Sequence, residues 1–187
     1  MNSTKKSIIK KSIKLFNQQG FHNLTTKEII EHCKVSNGSF FYYFPQKEKL
    51  AKEILNFIIE DFNDSLNKLI KKSSPDEFEN RLHFIFTHIV SWGVNKPEFF
   101  LFLIQMKNQI SEMSHEINVL HDTLFHYIAD IEFQGKLKDI NPSLLSSIGI
   151  SIIAHTVFYI SDHKDEYLDI EMDIDRFYKI FIDSISI

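Results

Sequence analysis

Residues 35–50 read VSNGSFFYYFPQKEKL, and five consecutive rings, Phe40 to Phe44, stand between an Asn-Gly-Ser triplet and two lysines, Lys47 and Lys49. Rings beside ammonium groups suit a polyanion. A tyrosine offers a flat apolar face and a hydroxyl to phosphate or base edges, and lysine neutralises phosphate. On a helix at about 100° per residue, Phe40 and Phe44 lie roughly 40° apart and face one way. Gly38, Ser39 and Tyr42 take the opposite side, flanked by Phe41 and Tyr43. Two rings then anchor the helix and the rest are presented outward, which is costly in water unless a partner covers them. Packing of those rings on the next helix is the competing reading, and both stay open at this level.

Charge bears on the choice. Residues 1–52 hold ten lysines against Glu28, Glu31 and Glu48, a net +7, while residues 53–187 hold 11 basic against 22 acidic residues, a net −11. The overall −4 hides a basic first quarter on an acidic body, the asymmetry expected when one module meets a polyanion. A solvated lysine-rich face would give the same count.

Other chemistries find less support. Nine histidines invite a metal site, but His83/His88 and His121/His126 are spaced i,i+5, which does not put two imidazoles on one helix face, and no His-Glu-x-x-His occurs. No metal or other cofactor is expected. The single cysteine, Cys33, excludes an internal disulfide and a cysteine-cluster site, and fits a reducing cytoplasm. No nucleophile elbow, glycine-rich phosphate loop or coherent triad appears, so an enzyme is not expected. The N-terminus lacks the apolar segment of a signal peptide, and the densest apolar run, 99–104, is far too short to span a bilayer. A cytoplasmic protein with no membrane partner follows as the expectation.

The elements that must carry the aromatic block are helical. With five glycines and four prolines, long 3.6-residue periods fill the chain, and no segment alternates with period two. Residues 5–19 place Ile8, Ile9, Ile13 and Phe16 on one face, and Gly20 stops the helix. Thr25 with Glu28 three residues on is a capping box for a second helix to Cys33. Ser36 caps a third from Asn37 to Phe44, and Pro45 ends it. Further helices are expected over 47–71, from Pro75-Asp76 to Gly93, from Pro97, over 114–134, from Pro142 to about 160, and over 173–185. The class is all-α, about nine helices, with a head at 1–49 and a body at 50–187. The few residues between helices two and three make a connection of helix-turn-helix size.

Gly20 to Leu50, GFHNLTTKEIIEHCKVSNGSFFYYFPQKEKL, resembles the helix-turn-helix signature of the TetR/AcrR family of bacterial transcriptional regulators. The matching residues are Gly20-Phe21, Thr25-Thr26, Ile29, Val35-Ser36, Gly38, Tyr43-Phe44, Lys47 and Leu50. The signature covers about a sixth of the chain, and the remainder is similar in length and helix count only. The resemblance implies the following contacts to a double-stranded DNA operator. Thr26 would give its hydroxyl and N–H to a phosphate at a helix N-terminus, with Lys27 beside it. Asn37, Gly38 and Ser39 would sit at the mouth of the major groove, where Asn37 can pair with adenine. Tyr42 and Tyr43 would meet backbone or thymine methyls, and Lys47 a phosphate. Two residues depart from the signature. Phe41 replaces a tyrosine, leaving a van der Waals contact, and Lys34 replaces the glycine of the turn, at a cost of about 1 kcal/mol if that turn needs a positive φ.

The resemblance also implies a homodimer formed by the last two helices. The helix from Pro142 is apolar on too many sides for a surface helix; Ser147, Ile150, Ser151, Ala154 and Phe158 on it, with Phe177 and Phe181 on the last helix, are the candidate interface residues. An effector pocket is expected in the body, with Phe62, Phe86, Trp92, Phe102, Met106, Phe125, His126, His155 and Tyr159 as candidate liners for an apolar or amphipathic small molecule. The reading is a ligand-responsive repressor on a palindromic operator. The alternative is a DNA-binding regulator with no small-molecule inducer, its body serving dimerisation or protein contacts.

Overall fold

The computed structural model describes residues 2–72, 78–109, 142–163 and 169–185. Every regular element among them is an α-helix, as the periodicity requires. In chain order these are α1 (Ser3–Gln19), α2 (Thr26–Cys33), α3 (Asn37–Tyr43), α4 (Lys47–Lys72), α5 (Phe78–Asn95), α6 (Pro97–Gln109), α7 (Pro142–Asp162) and α8 (Ile170–Ile185). The helix expected over 114–134 lies outside the described residues, and so do Phe125 and His126.

Local chemistry sets the first boundaries. The Asn2 side chain accepts the Thr4 N–H at 2.9 Å and starts α1. Gly20 ends it with φ 76°, a value glycine tolerates freely, and its N–H closes on the Phe16 carbonyl at 2.8 Å. The Thr25–Glu28 capping box is formed in both directions. The Ser36 hydroxyl accepts the Ser39 N–H at 3.2 Å to open α3. The last helix begins at Ile170 rather than 173, because the Asp169 carboxylate accepts the Met172 N–H at 3.0 Å and caps it three residues earlier.

The described residues pack as two compact units, a division by contact that cuts the chain at other points than the head-and-body reading. One holds the chain to Asp64 together with α6 from Glu98; the other holds Ser65–Pro97 with α7 and α8. In the first, Ile8, Ile9, Ile13 and Phe16 of α1 are buried with Ile29 of α2, Phe40 and Phe44 at α3, and Leu50 and Ile54 of α4. The fully buried ring of Phe102 on α6 meets Phe16 edge-on at 5.9 Å. In the second, α5, α7 and α8 contact one another in all three pairs. Ile85, Phe86 and Val90 are buried there with Val157, Ile160, Ile174, Phe181 and Ile185. No helix among the described residues is long and apolar enough to cross a membrane.

Candidate nucleic-acid interface

The interface is built on α2, its turn and α3. The turn is three residues, Lys34 to Ser36. Lys34 sits at φ 56°, ψ 50°, in the left-handed region, and its N–H and that of Val35 return to the carbonyls of Glu31 and Ile30 at 3.2 and 3.3 Å. These bonds satisfy carbonyls that the end of α2 would otherwise leave bare. The backbone therefore does require a positive φ at the position where lysine has replaced glycine.

On α3 the helical angles give the observed faces. Phe40 and Phe44 are fully buried and lie 5.8 Å apart. Tyr42 is 81% exposed and Phe41 46% exposed. Asn37 and Gly38 are exposed, and a Cβ built on Gly38 would meet nothing within 4 Å, so the surface there is open to close approach. Ser39 and Tyr43 are half-buried, and the Tyr43 ring braces Tyr42 edge-on at 5.0 Å. Thr26 is half-buried at the first position of α2 and Lys27 is exposed. By helix geometry the N–H groups of Thr26 and Lys27 have no intrahelical acceptor. The Glu28 carboxylate beside them accepts the Thr25 hydroxyl at 2.6 Å and the Thr25 N–H at 2.8 Å. Those bonds hold it below its ordinary pKa.

Lys47, of which a phosphate contact is expected, is engaged within the chain. It is half-buried, its Nζ donates to the carbonyls of Phe21 and Leu24 at 2.5 and 2.6 Å, and it lies 4.5 Å from the Phe21 ring centroid. Other lysines also bond within the chain. Lys5 and Lys49 reach Glu53 at 2.8 and 3.4 Å. Burial alone would raise the Glu53 carboxyl, but these two cations hold it below its ordinary value. Lys11 donates to the Cys33 carbonyl at 3.3 Å. Lys10, Lys14, Lys27 and Lys34 stay exposed.

The described candidate pocket residues fall in both units. Phe62, Phe102 and Met106 are buried in the first unit; Phe86 and Trp92 are buried in the second, where Tyr159 is half-buried and His155 exposed. Phe86 stacks on Phe181 at 5.9 Å as core. An open groove of about 440 Å³ lies elsewhere in the second unit, lined by Leu69, Asn80, His83, Phe84, Thr87, His88 and Ser91. Burial pushes the His88 imidazole below its ordinary pKa, and its Nε2 meets the Ser65 hydroxyl at 3.1 Å. Thr87 Oγ1 is buried without a hydrogen-bond partner. The signal for this groove is the polar spacing of α5, where Asn80, Thr87, His88 and Ser91 share one face; reading only the apolar face passes over it. Among the described residues no cluster of three or more His, Cys, Asp or Glu is placed to hold a metal.

Of the candidate interface residues, Ser147, Ser151 and Phe158 are exposed along α7, and Ile150, Ala154 and Phe177 are half-buried. Phe181 is 8% exposed, inside the unit. The inward stripe of α8 is Ile174, Phe181 and Ile185, spaced seven and four residues apart, so Phe181 falls on it. Met172 and Ile180, not among the candidates, are 46% and 59% exposed.

Residues 8–54 match the model of the bacterial regulatory proteins, tetR family. The HTH-type transcriptional regulator YuxN of Bacillus subtilis (strain 168), itself uncharacterized, is 40% identical over 76 residues, 40% of this chain and 26% of YuxN. The matches to the first curated relatives thus span well under two thirds of their own length. Two solved structures share the fold. A TetR family transcription regulator from Marinobacter aquaeolei VT8 superposes with a TM-score of 0.80 over 98% of this chain and 96% of its own, at 15% identity. The transcriptional regulator FadR from Bacillus subtilis, in complex with stearoyl-CoA, superposes with a TM-score of 0.70 over 95% and 97%, also at 15% identity.

Proposed function

We propose that this chain, which belongs to the tetR family of bacterial regulatory proteins through its helix-turn-helix segment and its fold, binds a palindromic operator in double-stranded DNA as a homodimer, represses there, and is released by a small-molecule effector. The family is one of transcriptional regulators rather than enzymes. The observation that carries the DNA reading is the outward face of α3. Tyr42, Phe41, Asn37 and Gly38 are exposed together while Phe40 and Phe44 are locked in the core. An apolar ring left 81% in water at the edge of a +7 segment is explained by a partner that is flat, polar-edged and anionic.

Dimerisation is supported by the open stripe of α7, Ser147, Ser151, His155 and Phe158, and by Met172 and Ile180 on α8. A two-fold interface would cover both, and two copies suit the two half-sites of a palindromic duplex. A dimer seated on its operator excludes other proteins from that stretch, and repression needs nothing more. The effector reading is supported by the 440 Å³ groove, with Leu69 and Phe84 as apolar wall and Thr87 and Ser91 as hydroxyl donors. That chemistry suits an amphipathic molecule, the class to which FadR's stearoyl-CoA belongs.

The test is selection of duplexes from a random pool by the purified protein, followed by fluorescence anisotropy with a selected and a scrambled duplex across a salt series. A palindromic consensus is expected, with affinity falling by a slope of about −0.9 in log salt per phosphate contact. No enriched sequence, or an affinity indifferent to salt, would sink the DNA reading.

A further inference from the structure

Lys47 opens α4, yet its ammonium is spent on the chain itself. Its two acceptors, the carbonyls of Phe21 and Leu24 at 2.5 and 2.6 Å, belong to the turn that joins α1 to α2. The Phe21 ring, 4.5 Å below the ammonium, is buried and stacked on Phe16 of α1 at 6.1 Å. Leu24 is fully buried, and the next residue, Thr25, is the cap that decides where α2 begins. One cation therefore holds the first turn of α4, the ring packed on α1, and the carbonyl just before the cap of α2. A lysine has three N–H donors, and two are used here. Turning the group to a phosphate would forfeit two charge-assisted bonds, each stronger than a neutral one.

We propose that Lys47 is a positioning residue, a clamp that makes the α1–α2 turn move with the first turn of α4. A displacement of α4 is then delivered to the N-terminus of α2, where Thr26 and Lys27 stand. The role in recognition rests on the DNA-binding reading above; the clamp itself is a property of the free protein and is tested there.

Residue-resolved amide exchange on DNA-free Lys47→Met is the experiment, since methionine keeps the apolar stem over Phe21 and removes the donors. The reporters are the N–H groups of Leu24, Thr25, Glu28 and Ile29, which bond within the turn and the capping box. Their exchange is expected to rise about ten-fold or more, while that of Ile13, Phe40 and Ile54 holds. Unchanged exchange at the four reporters would overturn the proposal. So would a uniform rise across the head, which would make Lys47 a general stabiliser. On a selected duplex, Lys47→Met is expected to bind about ten-fold more weakly at an unchanged salt slope, because the same phosphates are met once the turn is reordered. A slope shallower by about 0.9, one phosphate's worth, would return Lys47 to the role of a phosphate ligand and overturn the clamp. If the wild type binds no duplex at all, the DNA reading fails while the exchange result still stands by itself.

Discussion

Tyr42 and Phe44 are two residues apart on one short helix and carry opposite burdens. Phe44 is fully buried and its ring touches Phe40 and Tyr43, so truncation leaves a hole that the surrounding helices fill only in part. Phe44→Ala is expected to destabilise the head by about 3–5 kcal/mol and to lose DNA with it. Tyr42, mostly in solvent, supports little of the fold. Tyr42→Ala should melt within about a degree of wild type and still bind a selected duplex more weakly, while Asn37→Ala should cost about 1–3 kcal/mol on that duplex and less on scrambled DNA. Thermal melting and anisotropy on each variant decide the matter. Early melting of Tyr42→Ala, with binding per folded molecule intact, would mean that the outward face is core.

At the scale of elements, the turn between α2 and α3 holds a cost that the fold absorbs. Lys34 at φ 56° puts a Cβ where left-handed backbone crowds it, a penalty of about 1–2 kcal/mol. Lys34→Gly relieves that crowding but gives the unfolded chain more freedom, which takes back about 0.5–1 kcal/mol. The net expectation is a gain of up to about 1 kcal/mol and a melting temperature a few degrees higher by calorimetry. A lower melting temperature would show that the lysine side chain contributes more than its backbone costs. The boundaries of these elements were legible because their signals are local. Thr25 and Glu28 are three residues apart, Gly20 follows the last turn of α1, and Ser36 precedes α3. Where a cap was passed over, as with Asp169 before α8, the expected start slipped by three residues.

The whole molecule joins a basic first quarter to an acidic remainder, and its function as proposed needs two copies. Ile180 is the most exposed large aliphatic residue of α8, and the aromatic Phe158 stands open on α7. At a two-fold interface Ile180→Glu would bury a carboxylate from each copy with no cation assigned to it, a loss of several kcal/mol. Sedimentation at micromolar concentration is expected to show a wild-type dimer and a largely monomeric variant with unchanged helix content. A variant that stays dimeric would place the interface elsewhere, and a wild type that is monomeric under those conditions would remove the two-fold geometry of the operator reading.

Periodicity and caps determined without coordinates an all-α class, a second and a third helix joined by a turn of helix-turn-helix size, and a third helix on which Phe40 and Phe44 share the face opposite Tyr42. Each of those statements depends on interactions within about four residues, which any single helix must satisfy wherever it docks. What the tertiary structure decided lies at long separation. The acceptors of Lys47 are 26 and 23 residues away, and a four-carbon stem can reach a phosphate outside or a carbonyl inside with equal ease. Phe181 and Ile180 are neighbours in an amphipathic helix, and the docking of α8 on α5 and α7 buries the ring and leaves the aliphatic chain in water. The groove on α5 is likewise a matter of docking, because a polar face reads as solvent-facing until neighbouring side chains enclose part of it.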